Sequence, residues 1–488
     1  MSMHSVKFNA VMNTLLTASN MLVSLITIPY VTRVLSVEGY GDVTFAQSIS
    51  SWLSALCLMG VGTYGVRECA KVRDDSIELA TTVRELLTIV TVCTLVVLSA
   101  FAVAILLVPR LSQLAPLMWM FLVSTLLLSY GVEWYFQAIE QYSYITVRSV
   151  IFKSAALVLT FLMVRGPNDW LAYGIILALV VCGNNIFNII RLARDIDWSS
   201  ARPLNLRRHI RPLAAFSVLS ISSAVYLNFD TVILGMVSPN NYEVGLYQLA
   251  VKLKSVMWSV LNGVLGVFIP RLSNYVGKGD DRAYRDLLGK GSVLTINICM
   301  ALCGYILVFA SPVAVFISGE AFAGAASAIR IIGVVNLLSC LSYLIGLCVL
   351  TPLGRERALA MGNFAGVPVS VVFNLLFDPV FGAVGAAVSM LLAEAVILVV
   401  QFLGARDYRS VLFPAKNVAK VALGNALVAV MAGIILSLLS QGRSELVIAL
   451  SVPAYFGALF AMLFALKEKG ALLVIQEVRT VLRKRRAL

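Results

Sequence analysis

The stretch from Leu86 to Val108, LLTIVTVCTLVVLSAFAVAILLV, contains no charged side chain and decides the class of fold. A helix of about 20 apolar residues is long enough to cross the roughly 30 Å hydrocarbon core of a bilayer. Comparable runs recur along all 488 residues, of which 60% are hydrophobic and 13% are charged. A soluble domain carries roughly 25% charged residues, so this composition is typical of an integral membrane protein.

The apolar runs predict an all-α integral membrane protein of about 14 transmembrane helices. Helices satisfy their backbone polar groups internally, and the runs lack the alternating pattern of a membrane β-barrel. The connections are short, so no soluble catalytic domain is expected and the chain is not expected to be an enzyme. The predicted spans are 8–30, 40–62, 83–108, 114–138, 145–164, 170–190, 213–237, 245–268, 292–316, 325–351, 358–378, 382–404, 418–439 and 446–466.

The basic residues are distributed unevenly between the two sides of the predicted membrane. If the N-terminus is cytoplasmic, most of the 38 Lys and Arg fall in cytoplasmic segments, and the outer loops hold only Arg33, Arg110, Arg165 and Arg443. This asymmetry predicts that both termini are cytoplasmic. The net charge of +13 therefore reflects topology and contact with anionic inner-leaflet lipids rather than binding to nucleic acid.

The cysteines and histidines give no sign of a metal or cofactor site. The chain has eight cysteines, none in a CxxC pair, and two histidines, His4 and His209, both in predicted cytoplasmic segments. Buried packing is the usual role of such isolated cysteines. We expect no metal and no bound cofactor.

A weak internal repeat predicts how the helices are grouped. At an offset of 204 residues, five positions match, namely Gly41, Ala46, Ser51, Gly62 and Arg67 with Gly245, Ala250, Ser255, Gly266 and Arg271. The repeat predicts parallel halves, with six helices in an N-terminal lobe (1–200), six in a C-terminal lobe (201–410) and two further helices in 411–466. Residues 467–488 read either as a basic amphipathic cytoplasmic helix or as a frayed tail that only marks orientation.

Two predicted spans carry long polar stripes. Polar side chains at helical spacing cannot face lipid, because they would lose their hydrogen-bond partners there. They face either a neighbouring helix or a water-filled cavity, and two such stripes near the starts of two repeated halves favour the cavity. The stripes are Asn9, Asn13, Thr17, Asn20, Ser24 and Thr27 in the first span, and Gln248, Lys252, Ser255, Ser259, Asn262 and Gly266 in the eighth.

Charged residues within spans are the next candidates for function. Asp230 and Lys252 are expected at the same depth in neighbouring spans, either as a structural pair or with Lys252 exchanged between Asp230 and an anionic substrate. Glu133 and Lys153 are expected to form a similar pair at the inner side.

Two further intramembrane charges have no obvious partner in the sequence, namely Arg330 and Glu394. Arg330 is a candidate phosphate contact. Glu394 is either a protonatable coupling group or a carboxyl kept neutral by burial. Asp74, Asp75 and Glu78 form a DDxxE, which reads as a solvated loop because a two-metal site would require more carboxylates.

Several segments together resemble the polysaccharide transport family, or Wzx-type flippases, of the MATE-like multidrug/oligosaccharidyl-lipid/polysaccharide (MOP) exporter superfamily. The resemblance covers most of the chain and places the DDxxE in a family loop motif. The segments are IPYVTRVLSVEGYGDVTFAQSI (28–49), GVGTYGVRECAKVRDD (60–75), NFDTVILG (228–235), GLYQLAVKLKSV (245–256), IPRLS (269–273) and GAAVSMLLAE (385–394).

The resemblance implies a fold and a substrate. Such proteins form two six-helix lobes in a V, with spans one, two, seven and eight lining the cavity. Their substrates are undecaprenyl-diphosphate-linked oligosaccharides for O-antigen, capsule, exopolysaccharide or teichoic acid, moved by alternating access. The implied partners are the lipid-linked substrate itself, a glycan polymerase and glycosyltransferases.

These considerations assign the predicted site. The residues expected to bind the diphosphate are Lys252, Arg330, Lys254 and Lys153. Those expected to bind sugars are Asn13, Asn20, Ser24, Gln248, Ser255 and Asn262. Asp230, Glu394 and Glu133 are expected to form ion pairs or to couple transport to an H⁺ or Na⁺ gradient.

Two other functions remain open at this point. A cation-coupled drug exporter of the same superfamily would use acidic residues such as Asp230 and Glu394, although the loop motifs argue against it. A membrane-embedded glycan polymerase or transferase would require catalytic groups beside a large outer loop, and the predicted outer loops are short.

Overall fold

The computed structural model describes residues 6–438 and 444–476, and the regular structure in these ranges is helical. The chain divides into two compact units, Met1–Gly245 and Leu246–Leu488. The helices of the first unit are α1 (Val6–Val34), α2 (Val37–Leu58), α3 (Val61–Lys71), α4 (Ser76–Leu107), α5 (Pro109–Ser112), α6 (Ala115–Ser129), α7 (Glu133–Ala138), α8 (Tyr142–Met163), α9 (Trp170–Asp195) and α10 (Arg207–Val237).

Helix α2 is the centre of the first unit and packs against α4, α6, α9 and α10. Its side chains Tyr40, Val43 and Phe45 are almost completely buried. The helix begins where the Ser36 hydroxyl accepts a hydrogen bond from the Gly39 amide at 3.1 Å, which satisfies one of the free N–H groups at the helix start. A polar cap followed by bulky apolar residues therefore fixes both the start and the buried face of α2.

The second unit begins within a long helix that starts at the end of the first. Its helices are α11 (Tyr242–Gly277), α12 (Asp281–Ser318), α13 (Ala326–Ile345), α14 (Glu356–Gly404), α15 (Arg409–Leu412), α16 (Ala415–Leu438) and α17 (Ser444–Ala465). The most extensive packing in this unit joins α12 to α13 and α13 to α14. Helix α13 is therefore the central element, and α11 and α14 bring side chains to it.

Helix α14 consists of two helical arms that meet in a sharp reversal at Gly382. This residue has φ 54° and ψ −130°, a conformation that only glycine adopts without strain. A Cβ atom on Gly385 would lie 2.5 Å from the carbonyl oxygen of Phe377, whereas residues eight apart on a straight helix are separated by about 12 Å. The 49 residues of α14 therefore form a hairpin of two crossings, as the predicted spans 358–378 and 382–404 anticipate.

The number of spans agrees with the sequence-based expectation. Twelve helices among the described residues are long and apolar enough to cross a membrane, or 13 if the pair formed by α2 and α3, bent by 41°, is counted as one. Because α14 is counted once in that number and contains two crossings, the total approaches the predicted 14. The all-helical membrane fold is confirmed.

The boundaries of the compact units differ from the predicted lobe boundaries. Helix α10, which the repeat assigns to the C-terminal lobe, packs against α2 in the first unit, where Gly235 faces the ring of Phe45. The lobes 1–200 and 201–410 follow the sequence repeat and stay a prediction. Residues 469–476 are helical, and the rest of the predicted basic tail, from residue 477 onward, lies outside the described residues.

Candidate transport site

The polar stripe of α1 is largely exposed. Asn13, Thr17 and Ser24 are exposed, and Thr17 Oγ1 donates to the carbonyl oxygen of Asn13 at 3.0 Å. Asn9 is buried, with its Nδ2 atom 3.5 Å from Glu140 Oε2. The side chain of Asn20 lies outside the described residues. The exposed part of the stripe is not packed in dry helix contacts, so these groups require water or a polar ligand.

The stripe of α11 in the second unit is also exposed over most of its length. Ser255 and Asn262 are exposed, whereas Gln248 is buried and Lys252 is half-buried. Ser255 Oγ donates to its own helix at Val251 O, 3.1 Å away. Half of the α11 stripe thus presents amide and hydroxyl groups outward from a helix that is otherwise apolar.

Glu394 lies at the centre of a buried polar contact in the second unit. Its Oε1 atom accepts a hydrogen bond from Ser339 Oγ at 2.5 Å and lies 3.6 Å from Lys254 Nζ. Glu394 is only 1% exposed, and Lys254 is nearly as enclosed, with 13% of its side chain accessible. Helices α11, α13 and α14 each supply one member of this triad, which we call the Glu394 triad.

The sequence shows no obvious partner for Glu394, and the structure supplies two. Its partners are on two other helices, far away in the sequence, and spacing along one helix cannot reveal such contacts. The pairing follows from the cost of a buried charge, because a carboxylate removed from water needs a cation or hydrogen-bond donors. The only signal for it in the sequence is that Lys254 and Glu394 are opposite charges placed within apolar spans.

The remaining predicted site charges lie in different surroundings. Arg330 is exposed, and its Nε atom donates to Leu307 O at 3.3 Å. Asp230 is buried in the first unit, and its predicted pairing with Lys252 stays a prediction. Lys153 is half-buried.

Glu133 forms an ion pair that the sequence did not predict. Its Oε2 atom lies 3.4 Å from Arg148 Nη2, and its side chain is almost half exposed. Its predicted pairing with Lys153 stays a prediction. Arg148 itself is almost fully buried, and the negative charge of Glu133 compensates part of its positive charge.

A second buried polar network in the first unit was missed at the sequence level. Glu85 accepts from the Asn205 amide at 2.6 Å and from Arg208 Nε at 2.7 Å, and its Oε2 is 2.9 Å from His209 Nε2. His209 Nδ1 is 2.8 Å from the hydroxyl of Tyr64. With the proton on Nε2, His209 donates to Glu85 and accepts from Tyr64. These hydrogen bonds and ion pairs hold the connection between α9 and α10 against the first turns of α4.

The DDxxE contributes to structure rather than remaining a solvated loop. Asp75 Oδ1 accepts from the amides of Ile77 and Glu78 at 3.0 and 3.1 Å and thereby caps α4. Glu78 Oε1 lies 2.5 Å from Arg208 Nη1, so it extends the Glu85 network. Asp74 is exposed. Among the described residues, no group of three or more His, Cys, Asp or Glu is arranged to hold a metal ion.

Comparison with known proteins connects this architecture to a family. Residues 6–276, more than half of the chain, match the family described as polysaccharide biosynthesis protein. A protein of Escherichia coli (strain K12) described as a candidate O-antigen transporter is 25% identical over 405 residues, which cover 80% of this chain and 95% of that protein.

Solved structures show the same fold at low sequence identity. The lipid II flippase MurJ in an inward closed conformation aligns with a TM-score of 0.65 at 12% identity and covers 92% of this chain and 100% of its own. An inward-facing multidrug resistance MATE family transporter of the MOP superfamily aligns with a TM-score of 0.61 at 15% identity, covering 81% and 95%. The family match, the fold and the loop motifs agree, which confirms the resemblance found in the sequence: this chain belongs to the polysaccharide biosynthesis protein family, with a fold of the MOP superfamily.

Proposed function

We propose that this multi-pass membrane protein is a flippase that moves an undecaprenyl-diphosphate-linked oligosaccharide from the inner to the outer leaflet of a bacterial plasma membrane by alternating access. The observation that carries the proposal is the exposure of polar side chains on α1 and α11, such as Asn13 and Asn262, within helices that are otherwise apolar. Amide and hydroxyl groups are suited to hydrogen-bond sugars and are costly in lipid. The family match and the transporter relative support the same class of function.

The cations within spans are assigned to the diphosphate. Arg330 offers an exposed guanidinium group, which can form a bidentate pair of hydrogen bonds with phosphate oxygens. Lys252 lies on the face of α11 that also carries Ser255 and Asn262, so one helix face supplies both charge and sugar contacts, and Lys254 lies on a different face of the same helix. Lys153 is the candidate contact in the first unit.

The Glu394 triad provides a route for coupling to an ion gradient. In the structure Lys254 lies 3.6 Å from Glu394, which neutralises part of the buried carboxylate charge. If the substrate diphosphate draws Lys254 away, the buried carboxylate loses the cation that lies 3.6 Å from it. A buried carboxylate without a cation is costly and takes up a proton, or binds a Na⁺ ion in its place. Substrate binding and ion binding would then be linked through one lysine.

The test uses a strain of the native host that lacks this gene and therefore lacks the surface glycan. We expect Lys254→Met and Arg330→Gln, expressed at the wild-type level, to restore surface glycan at least about tenfold less well than the wild type. Arg282→Gln removes an equal charge at an exposed position outside the assigned site and should restore it fully. Full restoration by both site variants would rule out the assigned diphosphate site.

Coupling is tested separately in proteoliposomes. Glu394→Gln keeps a hydrogen-bond acceptor for Ser339 but removes the titratable charge. We expect wild-type flipping to respond to an imposed pH or Na⁺ gradient and the variant to lose that response. A variant with an unchanged response would exclude Glu394 as the coupling group. Gradient-driven efflux of a cationic dye without glycan transport would instead indicate the drug exporter.

The same proposal includes a topology and two kinds of partner. Both termini are cytoplasmic, as the distribution of Lys and Arg predicts. The substrate is made by glycosyltransferases on the inner side, and a polymerase consumes it on the outer side. A reporter fused to Leu488 that fluoresces only in the cytoplasm should be bright, and a dark reporter at normal expression would contradict the assigned orientation.

A further inference from the structure

A groove of about 560 Å³ lies along α8 and α9 in the first unit. One part of its wall is polar and contains two cations, Arg148 and Arg191. The other part is apolar and includes Val147, Ile151 and Phe187. None of the groove residues belongs to the set assigned above to the transported substrate, and no carboxylate is among the described residues that line the groove.

The two cations of the groove both lie close to one aromatic ring. The guanidinium carbon of Arg191 is 4.0 Å from the centre of the Tyr144 ring, and that of Arg148 is 5.2 Å from it. Such contacts are favourable when a cation faces the electron-rich ring. Tyr144 therefore fixes two positive charges close together at the polar end of the groove.

Both arginines are also positioned by neighbouring side chains. Arg148 Nε donates to Asn184 Oδ1 at 3.1 Å, and Nη2 lies 3.4 Å from Glu133. Arg191 Nε lies 3.4 Å from Asp195, and its Nη2 atom donates to Gln141. These contacts leave the guanidinium groups preorganised, so that a ligand would not need to order them.

The polar end of the groove is built around Arg148. This residue is only 6% exposed, and its Nη1 atom has no hydrogen-bond partner among the described residues. The Tyr144 hydroxyl lies within hydrogen-bond reach of the Arg148 side chain, so Tyr144 helps to position this guanidinium group. Guanidinium N–H groups are matched by anionic oxygens, so the pair formed by Arg148 and Arg191 points to a ligand with phosphate-type oxygens.

The apolar end of the groove is suited to an aliphatic chain. Val147 and Ile151 are exposed one helical turn apart on α8, and Phe187 is exposed on the facing part of α9. A free phosphate would make no use of this surface. The basic C-terminal segment of the chain, with Arg479 and Arg483, would be repelled by the two arginines.

We propose that this groove binds an anionic phospholipid, with the phosphate at Arg148, Arg191 and Tyr144 and an acyl chain along Val147, Ile151 and Phe187. The polar end of the groove lies at the ends of α8 and α9 that the charge distribution predicts to be cytoplasmic, where anionic lipid is abundant. The lipid is a resident ligand that occupies the groove independently of the transported substrate. The proposal is therefore tested by measuring lipid binding to the protein, and no transport assay is needed.

The experiment measures the binding of phosphatidylglycerol to the purified full-length protein by native mass spectrometry. We expect Arg191→Gln to weaken binding about tenfold, because it removes one charge-assisted contact. Ile151→Trp, which fills the apolar end and leaves both arginines in place, should also weaken binding. Phosphatidylcholine should bind less well to the wild type than phosphatidylglycerol.

Two matched controls accompany these variants. Arg282→Gln removes an exposed arginine elsewhere, and Val158→Trp adds the same bulk at an exposed position two turns further along the same face of α8. Both should bind phosphatidylglycerol like the wild type. Wild-type binding by Arg191→Gln and Ile151→Trp would overturn the proposal. Displacement of the lipid by millimolar inorganic phosphate would overturn it as well, because the site would then bind the free anion.

Discussion

Gly41 and Gly245, which are 204 residues apart and occupy matching positions of the sequence repeat, lie in reciprocal contact. A Cβ atom on Gly41 would be 1.9 Å from the carbonyl oxygen of Asn241, and one on Gly245 would be 2.2 Å from that of Val37. Val37 and Asn241 are themselves separated by the same 204 residues. The starts of α2 and α11 therefore cross with local twofold symmetry, and each helix contributes a glycine where the other backbone approaches.

This crossing predicts that neither glycine tolerates a side chain. Gly41→Ala should lower the free energy of unfolding by about 1–3 kcal/mol, because the added methyl group overlaps a backbone carbonyl that cannot move aside. Gly62→Ala is the matched control, since no atom lies within 4 Å of its added Cβ. The apparent melting temperatures of the two purified variants in the same detergent would test this. Equal melting temperatures would show that the two backbones are not closely packed where the helices cross.

The connection between α10 and α11 is held by a second contact near the same crossing. Arg110 donates to Gly235 O at 2.8 Å and to Asn241 Oδ1 at 2.7 Å, and Asn241 Nδ2 donates to Asp42 at 2.7 Å. Because Asp42 and Asn241 are removed from water to a large extent, the loss of these hydrogen bonds would leave polar groups unsatisfied and would destabilise the fold.

Loss of this contact should be measurable as reduced stability. We expect Arg110→Leu to destabilise the protein by about 2–4 kcal/mol, because several charge-assisted hydrogen bonds are lost together. Arg165→Leu, at an exposed arginine in another predicted outer loop, should change stability by less than about 0.5 kcal/mol. Thermal unfolding of both variants gives the comparison, and a result in which Arg165 matters as much as Arg110 would contradict the role of the network.

Glu85 is predicted to be more important for folding than its neighbours in the DDxxE. It is 1% exposed and joins Arg208, His209 and the Asn205 amide. Glu85→Ala should lower the free energy of unfolding by about 1–3 kcal/mol, because the Asn205 amide and the buried His209 lose their hydrogen-bond acceptor, whereas Arg208 keeps Glu78 as a partner.

The control for Glu85 is Asp74→Ala, which removes an exposed carboxylate from the same region and should be nearly neutral. Limited proteolysis of the connection between α9 and α10 provides the measurement, since that segment loses its anchor in the Glu85 variant. Equal cleavage rates in the two variants would indicate that the connection is held by other contacts.

Glu468 is predicted to fasten the beginning of the C-terminal segment to the second unit. It is fully buried, and its two oxygens accept from Asn417 Nδ2 at 2.6 Å, from Asn297 Nδ2 at 3.1 Å and from the Ala471 amide at 2.8 Å. Glu468→Ala should therefore lower stability by about 3 kcal/mol or more. Glu320→Ala, at an exposed carboxylate, serves as the control in the same melting experiment. A Glu468 variant as stable as the control would show that the segment is held by apolar contacts alone.

The sequence predicted those features that depend on a continuous stretch of chain. The hydrocarbon thickness sets the length of each apolar run, so the spans around Leu86–Val108 and on both sides of Gly382 were predicted correctly. The polar stripe of α11 was recognised because side chains at helical spacing share a face. Asn13 and Asn262 are exposed, and their roles in a cavity stay predictions.

The features that the sequence did not predict depend on distant residues. Nothing near Glu394 in the chain points to Lys254 or Ser339, and nothing near Glu85 points to His209. The packing of α10 against α2 also depends on contacts such as that of Gly235 with Phe45, which a hydropathy pattern does not encode. Apolar periodicity determines which residues enter the membrane, whereas partners within it are selected by shape and charge in three dimensions.

The reversal of α14 at Gly382 has a consequence for the biogenesis of the protein. Since the two arms of α14 join directly at Gly382, there is no long polar segment between the two crossings to be translocated separately. The two arms are expected to leave the ribosome and partition into the bilayer together, as one insertion unit. A chain interrupted after the first arm would expose a hydrophobic segment whose packing partner has not yet been synthesised.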